Sequence, residues 1–293
     1  MKPLVSVIVP AYNSASHIEK CLEHLIHQTH KELEIVVVDD GSTDNTSDIV
    51  SAYASSDSRI KLIRQANGGP SKAQNTGIKA ATGTYLHIHD HDDYAALDFF
   101  EKMVDAAEMS GADIACSEVI GSPWSFPFFD TMRILVTQKD KIIETGANHC
   151  NPAWRYLYRM DFIRRNNLLF EEAAFNDQDM LFTKPAVVLA GKIVTVPGAR
   201  YYNINLKSSF SHRSKRFLRK INDTPECREA HARYYRFLKE HDVEKYFKAP
   251  EKVEHSEQLM IFNVPVWRKD FLGNKTRSYI LGIPLGTRHR YDF

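Results

Sequence analysis

The sequence predicts an α/β protein, a doubly wound sheet with helices on both faces followed by a helical C-terminal appendage. Three observations predict it. Residues 4–9 and 34–38 are nearly continuous apolar runs, as expected of parallel strands covered on both faces. Between them Ile18, Cys21, Leu22, Leu25 and Ile26 recur at helical spacing. The alternation of short strand and helix, with Gly and Asn at the turns, then continues to residue 116.

In order, the first helix spans residues 14–27, and Ser16 with Glu19 has the spacing of a capping box. A third strand at 59–63 leads to a helix at 71–81, a strand at 85–88, a helix at 97–110 and a strand at 113–116. After residue 120 the text becomes aromatic and proline-rich, as in Pro123-Trp124-Ser125-Phe126-Pro127. Residues 1–210 therefore read as one domain with halves at about 1–118 and 119–210, and 211–293 as a basic helical region. That region holds Arg213, Lys215, Arg216, Arg219 and Lys220, then a helix at 226–240.

At 293 residues and 43% hydrophobic composition, the chain has enough apolar surface for one large core or two modest ones. Lys plus Arg number 38 against 37 Asp plus Glu, so a net charge of +1 creates no bulk field for nucleic acid or membrane. Cys21, Cys116, Cys150 and Cys227 form no CxxC pair, which suits reduced thiols in a cytoplasm. The apolar run that follows Met1-Lys2-Pro3 is too short for a signal-peptide core or a membrane span, so the expected location is cytoplasmic.

In a doubly wound sheet the ligand lies beyond the carboxyl ends of the strands, and three such ends carry polar residues. Pro10-Ala11-Tyr12-Asn13 ends the first strand, where Tyr12 can stack on a base. Asp39-Asp40-Gly41-Ser42-Thr43-Asp44 ends the second, where Asp40 can accept from an imide N–H such as that of uracil. The same residues also spell a turn and a helix cap. Asn67-Gly68-Gly69-Pro70 opens a helix and can bring backbone N–H groups to phosphate, although it equally spells an ordinary turn. Finally, His87-Ile88-His89-Asp90-His91-Asp92-Asp93 ends a strand with carboxylates suited to Mg²⁺ or Mn²⁺ interleaved with histidines suited to Zn²⁺.

In this order the blocks Ser6–Asn13, Val36–Thr46, Asn67–Gly77 and Asp90–Asp93 resemble glycosyltransferase family 2. The resemblance extends over residues 4–205 and includes Trp154, Arg155, Tyr201-Tyr202-Asn203 and Ser208-Ser209, a pattern of bacterial surface-polysaccharide members. It implies a Rossmann-like mixed sheet of the glycosyltransferase A type, a UDP-sugar donor and Mn²⁺ or Mg²⁺. It also implies an acceptor that is a glycan or lipid-linked glycan. Pro10, Tyr12 and Asp40 match the uracil-contacting positions, Asp90 the ribose or sugar contact, Asp92 the metal ligand, and Asp93 a support for the site or sugar. Gln74 stands where the family carries Arg, and Gln178 where it carries Glu. Asp179 matches the general base and Trp154 an acceptor contact, with Asp177 the alternative base if the helix starts two residues away.

Two other readings share these residues. The two Gln replacements allow a non-catalytic nucleotide-sugar-binding protein. A zinc hydrolase would need H-x-H-x-D-H, but His91 and Asp92 are in the opposite order. By strand alternation His87 and His89 share one face and pack within the fold, while His91 lies at the variable position between carboxylates and touches the donor. The basic run at 213–220 reads as a solvated helix face or as an attachment to anionic lipid at the inner membrane.

Overall fold

A computed structural model describes residues 2–122, 126–149, 152–174, 177–204 and 224–247, together with strands at 255–261, 264–272, 275–280 and 283–289. The order of elements is β1 Val5–Ala11, α1 Ile18–Ile26, β2 Leu33–Asp39, α2 Thr46–Ser56, β3 Ile60–Arg64, α3 Pro70–Ala80, β4 Tyr85–Ile88, β5 Tyr94–Ala95, α4 Phe99–Ser110 and β6 Ile114–Ile120. Then follow β7 Arg133–Leu135, α5 Gln138–Glu144, a 3₁₀ turn Ala153–Arg155, β8 Tyr156–Arg159, α6 Met160–Arg165, α7 Gln178–Leu189 and β9 Ile193–Tyr202.

These strands form one nine-stranded mixed sheet in the order β3-β2-β1-β4-β8-β6-β9-β5, with β7 also on β9. The first four are parallel, and β8 enters antiparallel between β4 and β6. Strand alternation splits the core in two. Val5, Val7, Val9, Ile35 and Val37 face α1 and α4, whereas Ile8, Val36, Val38, Leu86 and Ile88 face α3, α6 and α7. Both faces are covered, which is why the first strands read as unbroken apolar runs. Each such side chain contributes roughly 1.5–3 kcal/mol through burial. The sheet and α3 approach so closely that a Cβ on Gly77 would collide with Ile8 Cγ2, so the helix needs glycine there.

The structure departs from the sequence reading in three places. No capping box forms at Ser16 and Glu19, because α1 begins at Ile18 and the Ser14 carbonyl accepts from His17 and Ile18 instead. An additional helix, α2, follows the second strand end and packs Ile49, Tyr53 and Ala54 on the core. Beyond it, the tail is only partly helical. The expected helix is present as α8, Pro225–Glu240, with Thr224 capping it through an acceptance from the Cys227 N–H. Four strands then form a separate antiparallel sheet, β10 His255–Ile261, β11 Val264–Leu272, β12 Lys275–Ile280 and β13 Ile283–His289. The register of β11 and β12 runs from Trp267 opposite Ile280 to Leu272 opposite Lys275. The basic run at 213–220 and Trp124 lie outside the described residues. Among those described, no helix is long and apolar enough to cross a membrane.

Candidate active site

The ends of β1 and β2 are stitched together by side chains. Asn13, in the left-handed region at φ 50°, accepts from the Thr43 N–H (2.8 Å), and its own N–H donates to Ser42 Oγ (2.9 Å). This leaves the preceding Tyr12 at the crevice edge, 48% exposed and able to stack on a planar ring.

Asp40 is buried, at 4% exposure. Its Oδ1 accepts from Gln65 Nε2 (2.7 Å) and the Gly68 N–H (2.9 Å), and its Oδ2 from the Gly69 N–H (2.8 Å). Three donors on one carboxylate make Asp40 the brace of the Gly-rich loop. Bonds to a charged acceptor of this kind are strong, and the contact with the base expected of Asp40 stays a proposal. Gly69 then starts α3 at φ 88°, a conformation that suits glycine. On α3, Gln74 is buried, with no partner for its Oε1 among the described residues, and Lys72 lays its aliphatic stem over Gly68.

Beyond β4, the histidines and carboxylates separate as strand alternation requires. His87 and His89 are fully buried; His87 donates from Nδ1 to the Tyr156 carbonyl (3.0 Å), and His89 Nδ1 lies 3.4 Å from His87 Nε2. Burial pushes His87 down to about 4 and His89 well below its ordinary value, so both are neutral core groups. His91 donates from Nδ1 to the Pro10 carbonyl (3.3 Å), tying the acidic loop to the end of β1.

Asp90, Asp92 and Asp93 each bring an oxygen within 4.8 Å of the others. Asp93 is already engaged, accepting from Asn203 Nδ2 (3.0 Å) and from the Ile204 N–H (2.6 Å), so it ties this loop to the end of β9 and supports the site from below. Tyr201 links the same pair of acids: its hydroxyl accepts from the Asp90 N–H (3.2 Å) and hydrogen-bonds Asp93. Burial first, then the neighbouring charges of Asp93, Asp92 and Asp179, raise Asp90 well above the usual carboxylate range. Burial also pushes Asp93 up to about 7. An all-oxygen set with mutual repulsion fits a hard divalent cation better than zinc.

Trp154 is 5% exposed and stacks on Tyr201, with ring centroids 4.5 Å apart and planes 14° apart. Its ring supports the tyrosine that positions the acidic loop, and an acceptor contact at Trp154 stays a proposal. At the start of α7, Asp177 is the N-cap residue, and its Oδ2 lies 3.1 Å from His231 Nε2 on α8. Gln178 accepts from Ser71 Oγ (3.4 Å). Asp179 accepts from the Ala153 N–H, yet burial outweighs that bond and pushes it up to about 7. Its charge is felt at Asp90, so the two carboxyls lie within electrostatic reach of one another. Gln65 and His231 were not singled out in the sequence, because each acts through a partner 25 or more residues away.

A model of glycosyl transferase family 2 matches residues 6–188. The chain belongs to that family. It is 41% identical over 183 residues to the uncharacterized glycosyltransferase EpsJ of Bacillus subtilis, covering 59% of this chain and 52% of that one. It is 32% identical over 221 residues to the uncharacterized glycosyltransferase YibD of Escherichia coli, covering 71% and 64%. The chain thus spans between half and two thirds of these relatives. Its fold resembles S. aureus TarS 1-349 solved in complex with UDP, with a TM-score of 0.62, 25% identity, and coverage of 81% of this chain and 73% of that one.

Proposed function

We propose that this chain is an inverting, metal-dependent glycosyltransferase that moves a hexose or N-acetylhexosamine from a UDP-sugar to a hydroxyl of a bacterial surface glycan, in lipopolysaccharide, capsule or exopolysaccharide. The observation that carries this reading is the cluster of Asp90, Asp92 and Asp93 beyond β4, with Asp179 at the start of α7 near enough for its charge to act on Asp90 and itself pushed up to about 7 by burial. Asp179, once ionised, takes the proton of the acceptor hydroxyl. The acceptor oxygen bonds to the anomeric carbon as the bond from that carbon to the diphosphate oxygen breaks on the opposite side, so configuration inverts and UDP departs. Tyr12 stacks on the base, His91 and Gln74 line the donor site, and Asp40 holds the loop that faces the phosphates. Asp92, with Asp90 beside it, would hold Mn²⁺ or Mg²⁺. When bound, such a cation neutralises charge on the departing diphosphate.

The UDP complex of TarS supports the nucleotide, and the surface-glycan pattern supports the acceptor class. A cytoplasmic site of action at the inner membrane surface accords with the basic run at 213–220. A thermal-shift screen of UDP- and GDP-sugars with Mn²⁺ should single out a UDP-sugar, because a ligand that binds only the native state raises its apparent stability. UDP release on adding glycan acceptors should follow. Binding without turnover would favour the non-catalytic alternative that Gln74 and Gln178 suggest. A preference for GDP-sugars would overturn the donor assignment.

A further inference from the structure

The start of α7 is fastened from three directions. Gln178 meets Ser71 on α3, Asp179 meets the backbone of Ala153, and Asp177 meets His231 on α8. The last contact is unusual for an N-cap aspartate, whose carboxylate normally accepts from N–H groups of its own first turn. Here that internal cap is absent, and the carboxylate is turned outward to the C-terminal helix. His231 Nδ1 lies 2.8 Å from the Cys227 carbonyl, which only accepts, so Nδ1 carries a proton. Nε2 faces the Asp177 carboxylate 3.1 Å away, within hydrogen-bond distance. Arg233 to Glu171 (2.5 Å) fastens α8 to the segment preceding α7, and Tyr234 and Leu238 share a core with Phe182 and Ala186 of α7. His231 lies beyond residues 6–188, so nothing in the family match assigns it a role.

We propose that His231 is a positioning residue for glycosyl transfer: from the C-terminal helix it holds Asp177 outward and thereby fixes the first turn of α7, which presents Asp179 to the acceptor hydroxyl. This rests on the reading of Asp179 as the base. Without His231, the Asp177 carboxylate is free to swing back onto the N–H groups of its own helix start, and those include the Asp179 backbone. A displacement of about 1 Å at a reacting group lowers rate by on the order of 100-fold. The proposed donor and metal positions Tyr12 and Asp92 lie beyond the ends of β1 and β4, away from α7 and α8, so the effect falls on kcat and spares donor affinity.

The test uses the full chain with Mn²⁺, UDP for affinity, and UDP release from UDP-N-acetylglucosamine, UDP-glucose and UDP-galactose, with glycan acceptor or water. His231→Ala should lower kcat 10- to 100-fold while the KM for the sugar nucleotide and the Kd for UDP stay within twofold. His231→Gln, which keeps a donor facing Asp177, should recover most of the loss. Asp177→Ala should match His231→Ala, and the double variant should be no worse than either, as expected when both act through one contact. Wild-type kcat in His231→Ala beside an inactive Asp179→Asn overturns this inference alone. So does a loss of UDP affinity parallel to the loss of kcat, which marks a merely structural role. A wild-type protein that turns over none of these donors, or an Asp179→Asn variant as active as wild type, overturns the assignment of the base itself.

Discussion

Tyr201 and Trp154 stack with ring planes 14° apart, and through the Tyr201 hydroxyl this pair holds the backbone of Asp90. An aromatic core thus sets the position of the acidic loop. Trp154→Ala removes a buried indole and should cost about 3–5 kcal/mol. Because the loss propagates through Tyr201, Mn²⁺-dependent UDP affinity should fall together with the melting temperature. Calorimetry and thermal melts check this; unchanged UDP affinity with a raised acceptor KM would mark Trp154 as a direct acceptor contact instead.

Asp40 offers a contrast between bracing and reading. Asp40→Ala leaves Gln65 and the N–H groups of Gly68 and Gly69 without their acceptor. We expect a stability loss of about 3 kcal/mol in urea unfolding, since bonds to a charged group are worth roughly 1.5–3 kcal/mol and unsatisfied buried donors add to the cost. A variant of wild-type stability that has lost uracil discrimination would show that Asp40 reads the base rather than bracing the loop.

Metal dependence should follow one carboxylate. Asp92→Asn is expected to weaken Mn²⁺-supported UDP binding on the order of 100-fold, with little change in melting temperature, because Asp92 is half-buried and Asp93 supplies the structural bonds. Asp93→Asn should do the reverse, lowering stability first. Titration calorimetry with and without a chelator separates them.

The pH dependence has a definite sign. Burial raises Asp179 to about 7, so below that pH the carboxyl holds its proton and has no basicity to offer, and above it the base is free. Accordingly kcat/KM should rise tenfold per pH unit between about 5 and 6.5, then level off above 7. A bound cation near Asp90 and Asp92 favours the ionised form, so the rise should move to lower pH as Mn²⁺ is raised. A flat profile between 5 and 8 would contradict this.

The parts legible in the sequence were those encoded locally. The apolar runs of β1 and β2 announced strands covered on both faces, and alternation along β4 sent His87 and His89 inward, as the structure has them. What escaped was set by distant partners. The engagement of Asp40 depends on a loop 25 to 29 residues on, and that of Asp177 on a helix 54 residues on. The apparent capping box at Ser16 lost to a tighter turn in which Ser14 accepts from His17 and Ile18. α2 carries mostly Ser and Ala on a weak apolar face, and β8 runs antiparallel through an otherwise parallel region. Neither leaves a strong local pattern.

The account centres on one carboxylate, and Asp179→Asn tests it most directly. With saturating sugar nucleotide, Mn²⁺ and acceptor, single-turnover UDP release should fall on the order of 100- to 10,000-fold relative to wild type while the Kd for UDP is unchanged, since general-base catalysis supplies about that factor. Turnover within threefold of wild type would contradict the account.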